Sequence, residues 1–453
     1  MPHSSDLPIR AAPLGRRIAR AALVGVSAVL AATGCQRADA SDAVTLRFWA
    51  FGREGEVVQE LVRDFERQNP GIRVHVQQIP WTAAHEKLLT AYVGDATPDV
   101  AQLGNTWIPE FVALNALAPL DSLVASSPAV DPPQYFGGIW ETNIVDERLY
   151  GIPWYVDTRV LFYRSDLLAN AGYREVPQTW AAWEEAMRKM KRQLGADRYP
   201  ILLPTNEWPQ PVILGMQAGS PLLRDGGRFG GFSDSTFRRA FEFYVGLFRQ
   251  GLAPSVSSNE IANRYQEFAR GNIAMMITGP WEIGEFTNRL PREMQGRWMT
   301  APLPGPDGPG VSMAGGASLV LFRASEHREA AWRLLEFLSQ PTQQVRFYGL
   351  TGNLPARRAA WDDSALSASP YTRAFRSQLE RVRPLPKVPE WEQIATKVFE
   401  YGEVAVRGRV PVPEVLGRLD RDVNALLEKR RWMLDRQVPK PQVASARAPG
   451  ATH

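Results

Sequence analysis

The sequence predicts an α/β protein of two lobes, built on mainly parallel sheets flanked by helices. Stretches in which alternate residues are apolar are followed by stretches whose apolar residues recur at helical spacing, the mark of repeated strand-helix-strand units. At 453 residues the chain exceeds what one core normally organises but suits two large lobes. Residues 149–168, LYGIPWYVDTRVLFYRSDLL, read as a crossing between them. Gly151 and Pro153 break the chain, Trp154, Tyr155 and Asp157 follow, and the apolar run 160–163 begins a buried strand. The same residues also fit a turn entering an ordinary core strand.

Taken from the start, Arg16, Arg17 and Arg20 precede a small-residue apolar segment, 21–32, that is too short to span a bilayer but suits the core of a signal peptide. It ends in Ala32-Thr33-Gly34-Cys35, which resembles a bacterial lipobox. Residues 1–34 are then a lipoprotein signal peptide, Cys35 the lipidated first mature residue, and residues 36–42 a polar tether. Gln36 rather than Asp follows the cysteine and leaves the final membrane open. Cys35 is the one cysteine of the chain, so no internal disulfide forms and stability rests on burial. Four arginines against one aspartate in residues 1–34 account for +3 of the net +4. The remainder is close to neutral, which gives no reason to expect a nucleic-acid partner.

Val44, Leu46 and Phe48 alternate as a first strand, with a loop expected at 52–56. Val57, Val58, Leu61, Val62 and Phe65 mark a helix that Asn69-Pro70-Gly71 stops, and Ile72, Val74 and Val76 alternate again. Leu88, Leu89 and Tyr92 give a second helical face. Residues 99–103 form a buried strand running into Asn105, Thr106 and Trp107. Ligands of such sheets bind outside the carboxyl ends of strands, so the loops carrying Glu54, Trp81, and Asn105 with Trp107 qualify.

Beyond the crossing, Trp180, Trp183, Met187 and Met190 recur on one helical face behind a Thr179 cap, which makes these tryptophans core. Residues 204–233, rich in Pro and Gly and containing Trp208, read as a long loop. Phe237, Phe241, Tyr244, Val245 and Phe248 form a helix, and the strand 273–277 delivers Gly279, Pro280, Trp281 and Glu282. PLPGPDGPG (302–310) is a linker by composition; Gly315, Gly316 and a strand at 317–322 come next, then a helix capped by Ser325. An irregular segment, 349–358, holds Arg357 and Arg358. Helical faces return near Trp391, Ile394 and Val398 and near Leu416, Leu419 and Val423, and the tail beyond 438 is expected to be disordered.

The five histidines are scattered without metal-ligand spacing, and no second thiol exists, so neither a metal nor another cofactor is expected. No phosphate-binding glycine loop and no nucleophile elbow is present. A pair of carboxylates for glycoside hydrolysis, with Asp157 or Glu54 as a member, stays open on sequence alone.

FWAFGREGEVVQELVRDFERQNPGIRV, TPDVAQL, LYGIPWYVDTRVLFYRSDLL, ARGNIAMMITGPWEI, APLPGP with GGASLV, and TGNLPARR occur in one order along nearly the whole mature chain. Together they resemble the extracellular solute-binding proteins of carbohydrate ABC transporters, closest in character to the trehalose- and maltose-binding members. The resemblance implies a two-lobe periplasmic binding protein fold of class II with several hinge crossings. Residues 43–156 and 302–340 would form the N-terminal lobe, 157–301 and 341–438 the C-terminal lobe, and 439–453 the tail. It implies a monomeric, exported, membrane-anchored receptor that closes around an α-glucoside such as maltose or trehalose and delivers it to permease subunits. A binding protein for a non-sugar solute and a carbohydrate-active enzyme are the alternatives. By the resemblance, Tyr155, Asp157, Trp281, Gly315, Gly316 and Arg357 line the cleft, the glycines letting backbone N–H groups approach the sugar. Trp81, Trp107 and Trp154 add faces for pyranose C–H bonds, and Glu54 and Asn105 add planar polar partners for hydroxyls.

Overall fold

Strand β1 (Val44–Phe51) runs straight into helix α1 (Gly52–Gln68), because Gly52 at φ +51° turns the chain in one residue where a loop was expected. The computed structural model describes residues 43–408 and 410–437; the expected leader, Cys35, the tether and the tail lie outside them. Val57, Val58, Leu61, Val62 and Phe65 form the buried face of α1, and Asn69 ends it by donating its backbone N–H to Glu66 and Phe65. Strand β2 (Ile72–Ile79) pairs in parallel along all of β1, from Val44 opposite Ile72 to Phe51 opposite Ile79. Helix α2 (Trp81–Val93) leads to β3 (Val100–Gly104), also parallel to β1. These are the strand-helix-strand units that the periodicity predicts.

β4 (Gly151–Asp157) belongs to the same sheet, whereas β5 (Val160–Arg164) belongs to the other lobe, so the chain changes lobes at Thr158 and Arg159. In the second lobe, α3 (Trp180–Leu194) starts at Thr179, whose hydroxyl accepts the Ala182 N–H at 3.3 Å; Trp180 and Trp183 are buried, as expected. The long loop expected at 204–233 contains a buried helix, α4 (Pro209–Gln217). Pro209 and Pro211 occupy its first turn, where no intrahelical N–H bond is lost, so residues that read as breakers are starters. Helices α5 (Ser235–Arg249) and α6 (Arg264–Arg270) precede β6 (Met275–Thr278), α7 (Trp281–Arg289) and β7 (Trp298–Ala301). β5 lies between β6 and β7, antiparallel to both. Trp298 anchors this core, stacked on Tyr371 at 3.8 Å.

The chain returns through 312–314 to β8 (Gly315–Leu321), α8 (Arg328–Leu338), α9 (Pro341–Thr351) and β9 (Leu354–Pro355). The helix expected behind a Ser325 cap starts instead after His327, and the Ser325 hydroxyl donates to Asp99 at 2.6 Å. The first-lobe sheet has the order β9-β4-β8-β3-β1-β2. β8 is antiparallel to both β3 and β4, and β9 is antiparallel to β4, so the sheet is mixed rather than mainly parallel. Strands made by local crossover helices are parallel; those that carry the chain to and from the other lobe run against their neighbours.

Two boundaries also differ from the expectation. Residues 303–310 dock on the second lobe, where Gly305 accepts the Trp180 N–H at 2.7 Å. Residues 341–355, expected in the second lobe, sit on the first: α9 packs against α1, and β9 pairs with β4. The chain therefore rejoins the second lobe only after β9, and α10 (Trp391–Arg407) and α11 (Val412–Leu426) complete that lobe's core. Two crossings are laced together: Thr158 donates to the Met313 carbonyl at 2.9 Å, and Ser312 donates to the Arg159 carbonyl at 2.9 Å.

Candidate binding cleft

The carboxyl end of β1 and the first turn of α1 place Glu54, 8 % exposed, among groups from three other segments. Trp81 Nε1 approaches one carboxylate oxygen at 3.3 Å, and Asn353 Nδ2 donates to the other at 2.8 Å. Glu54 also adjoins the Tyr155 hydroxyl, which accepts from Gln102 Nε2 at 3.0 Å. Gln102 in turn accepts the Phe51 N–H at 2.8 Å. One chain of hydrogen bonds thus ties the turn before α1 to β3 and β4. Burial first, then the neighbouring Glu54 carboxylate, hold the Tyr155 hydroxyl well above its ordinary range, so it keeps its proton.

Gly52 lets Trp81 close over the turn; a Cβ there would lie 2.7 Å from the indole. Trp81 is 37 % exposed, with edge contacts to Phe51 at 5.1 Å and Trp107 at 5.8 Å, so two indoles form an aromatic shelf at the strand ends. His85 packs on Trp107 at 5.0 Å, and its Nε2 lies 2.6 Å from Glu110. The hydrogen bond to Glu110, working against partial burial, raises the His85 pKa above its ordinary value. Asn105 donates to Thr142 Oγ1 at 2.7 Å, and its buried Oδ1 has no partner. Thr106 donates to Glu392, at the start of α10, at 2.5 Å, a contact between the lobes.

Where the chain leaves β4 for the second lobe, Asp157 pairs with Arg159 at 2.5 Å, and the Arg159 guanidinium lies 4.6 Å above the Trp281 ring. Trp281 begins α7, is 42 % exposed, and folds over Gly279, where a Cβ would fall 2.1 Å from the ring. Gly315 and Gly316 pair with Asp157 and Val156. Gly316 adopts φ +118°, and a Cβ there would lie 2.3 Å from the Tyr155 carbonyl. Its missing side chain admits strand β4 rather than opening space for a solute.

The structure therefore joins Glu54, Trp81, Trp107 and Tyr155 at the strand ends of the first lobe, with Asn105 nearby, and links Asp157, at the end of β4, through Arg159 to Trp281 of the second lobe. It sets two residues apart. Trp154 is core, stacked on Phe347 at 4.3 Å. Arg357, 4 % exposed, turns its guanidinium into the first lobe, donating to the Ala129 carbonyl at 2.6 Å and to Gln134 and lying 5.0 Å from the Tyr135 ring. Gln102, Asn353, Arg159 and Glu392 were missed. A glutamine in the apolar strand 99–103 and an arginine between two apolar runs are the signals that point to the first and third. Among the described residues no group of three His, Cys, Asp or Glu is placed to hold a metal, and no helix is long and apolar enough to cross a membrane.

Two α/β lobes with laced crossings and exposed indoles at their strand ends form the architecture of a solute-binding protein. The chain belongs to the bacterial extracellular solute-binding protein family, whose model matches residues 51–345. The structure is similar to that of the sugar-binding protein MalE of Xanthomonas citri, with 50 % identity, a TM-score of 0.86, and coverage of 87 % of this chain and 100 % of that one. The sequence is 24 % identical to the diacetylchitobiose-binding protein DasA of Streptomyces coelicolor, over 78 % of this chain and 82 % of the relative. It is 27 % identical to an uncharacterised lipoprotein of Streptomyces antibioticus, over 82 % of this chain and 85 % of the relative. The chain is a binding protein, not an enzyme.

Proposed function

We propose that this protein is the sugar receptor of an ABC importer. It is exported, anchored to a membrane through Cys35, and monomeric; it closes around an α-glucoside such as maltose or trehalose and hands it to the permease. The observation that carries this reading is the similarity to a sugar-binding protein along that protein's whole length, coupled to a cleft with the matching chemistry. Trp81, Trp107 and Trp281 offer indole faces to pyranose C–H bonds, and Glu54, Asn105 and Asp157 offer planar partners to hydroxyls. A sugar that touches both Trp81 of the first lobe and Trp281 of the second binds the closed state more tightly than the open one and drives closure. The lipoprotein relative supports the anchor.

Titration calorimetry against maltose, trehalose and related disaccharides is the test. One-to-one binding with recovery of intact sugar is expected, and no heat from any sugar of the panel would overturn the proposal. Mass spectrometry of the exported protein checks the anchor: diacylglycerol on Cys35 supports it, and an unmodified thiol refutes it.

A further inference from the structure

We propose that helix α12 (Glu428–Gln437), which follows α11, carries a contact surface for an anionic phospholipid bilayer. The contact is separate from the sugar cleft and goes beyond the receptor reading.

Lys429, Trp432, Met433 and Arg436 are all exposed and stand at i, i+3, i+4 and i+7, so they form one stripe along the outer face of α12. The half-buried positions are Arg430, Arg431 and Leu434. Arg431 lies 4.9 Å from the Phe229 ring and donates to the Arg228 carbonyl at 3.0 Å, while Arg228 pairs with Asp435. These contacts fix which face turns outward. Folding gives no reason for an indole there, since Trp432 is 54 % exposed and Met433 38 %. Among the described residues the other exposed tryptophans, Trp81 and Trp281, belong to the cleft, and Trp432 with Met433 is the one pair of exposed large apolar residues adjacent in the chain.

The composition of the stripe points to its partner. Indoles concentrate at the boundary between bilayer and water, and a helix lying in that plane sets apolar side chains against the acyl boundary and cations among the headgroups. Lys429 stands one turn before Trp432 and Arg436 one turn after it, with the Arg436 guanidinium 3.7 Å from the centre of the indole ring. That stacking keeps a positive charge at the depth of the ring. Four cations in α12 stand against two carboxylates, one of which, Asp435, is taken by Arg228. Residues 438–453 add Lys440 and Arg447 and no Asp or Glu. Anionic headgroups attract each of these cations. A protein partner is disfavoured by area: ten helical residues span about 15 Å, and two apolar side chains cover far less than the roughly 800 Å² per partner of a stable interface. A bilayer asks for less when the chain is tethered to it. Seven residues separate Cys35 from Ala43, so lipidation of Cys35 would hold the folded body within about 30 Å of the surface, where a weak contact forms at high effective concentration.

Sedimentation with lipid vesicles tests the proposal on the chain from residue 36 onward, which keeps the whole folded body, beginning at residue 43, and omits the arginines of residues 1–34. Vesicles of phosphatidylcholine are compared, at low salt, with vesicles of equal parts phosphatidylcholine and phosphatidylglycerol. Binding about ten-fold or more stronger to the anionic vesicles is expected, falling as salt is added. Trp432→Ala should weaken it about three-fold or more, and Lys429→Glu combined with Arg436→Glu about ten-fold or more. The urea midpoint should stay near wild type in both variants, because all three side chains are exposed. Equal binding to the two kinds of vesicle, or variants that bind as wild type does, would overturn the proposal. So would a dimer in sedimentation equilibrium that Trp432→Ala dissolves, which would assign the stripe to a second copy of the chain. None of these outcomes depends on whether a sugar binds.

Discussion

Arg357 separates what the sequence motif suggests from what the structure shows, and Arg357→Met tests the difference. The motif points the residue at the ligand; the structure makes it a strut beneath residues 129–135. Met keeps the apolar length and removes the charge. Two close acceptors lose their donor, the Ala129 carbonyl at 2.6 Å and the Gln134 side chain, whereas the contacts to Tyr135 Oη and Ser339 O at 3.4 Å are too long to weigh much. Hydrogen bonds from a charged donor contribute about 1.5–3 kcal/mol each. The hydration cost of burying a guanidinium is recovered, so a net loss of about 2–4 kcal/mol is expected. Urea unfolding followed by circular dichroism should show a clearly lower midpoint, and calorimetry on the folded variant should give sugar affinity within about two-fold of wild type. An unchanged midpoint with binding abolished would place the guanidinium in the cleft and refute this assignment.

Replacing Trp281 by Ala should weaken disaccharide binding by about ten-fold or more, through loss of a stacking face, while the unfolding midpoint stays near wild type because the ring is 42 % exposed. Calorimetry and denaturation on the same sample distinguish this from a core role, in which the variant fails to fold. Gly316→Ala forces a side chain into φ +118° and against the Tyr155 carbonyl, and a loss of about 2 kcal/mol or more in urea unfolding is expected. A proton titration of His85 by NMR should give a midpoint above the ordinary 6.5, returned towards it in Glu110→Gln. The sign follows: a raised folded pKa means that the pair's stabilisation is complete below the unfolded pKa and is lost as pH rises through the folded one.

Much of the architecture was legible because burial writes itself as periodicity. Alternation at Val44, Leu46 and Phe48 and the face at Val57, Leu61 and Phe65 sit where those patterns put them. Trp180 and Trp183, read as core from spacing alone, are buried. Sheet direction was not legible, since pairing of β8 with β3 and β4 joins segments far apart in sequence and leaves no local trace. Pro209 and Pro211 misled because a helix start and a loop use the same residue. At the cleft, exposed aromatics next to strand ends stood out, but Asn353 and Gln102, which orient Glu54 and Tyr155, are polar residues whose partners lie in other strands and helices. Arg357 misled for the same reason: a motif records that a charge is present, not which way it turns.

The place of β8 governs how the molecule can be assembled. A nascent chain that has reached residue 314 holds β1, β2, β3 and β4 but not the strand that fills the gap between β3 and β4, so two ladders of unpaired backbone groups stay open until Gly315–Leu321 arrives. Closing that gap means threading a strand across a long excursion through the other lobe, a slow, non-local step. Any truncation before residue 322 should be trapped as an aggregating half-sheet, recovered as insoluble protein.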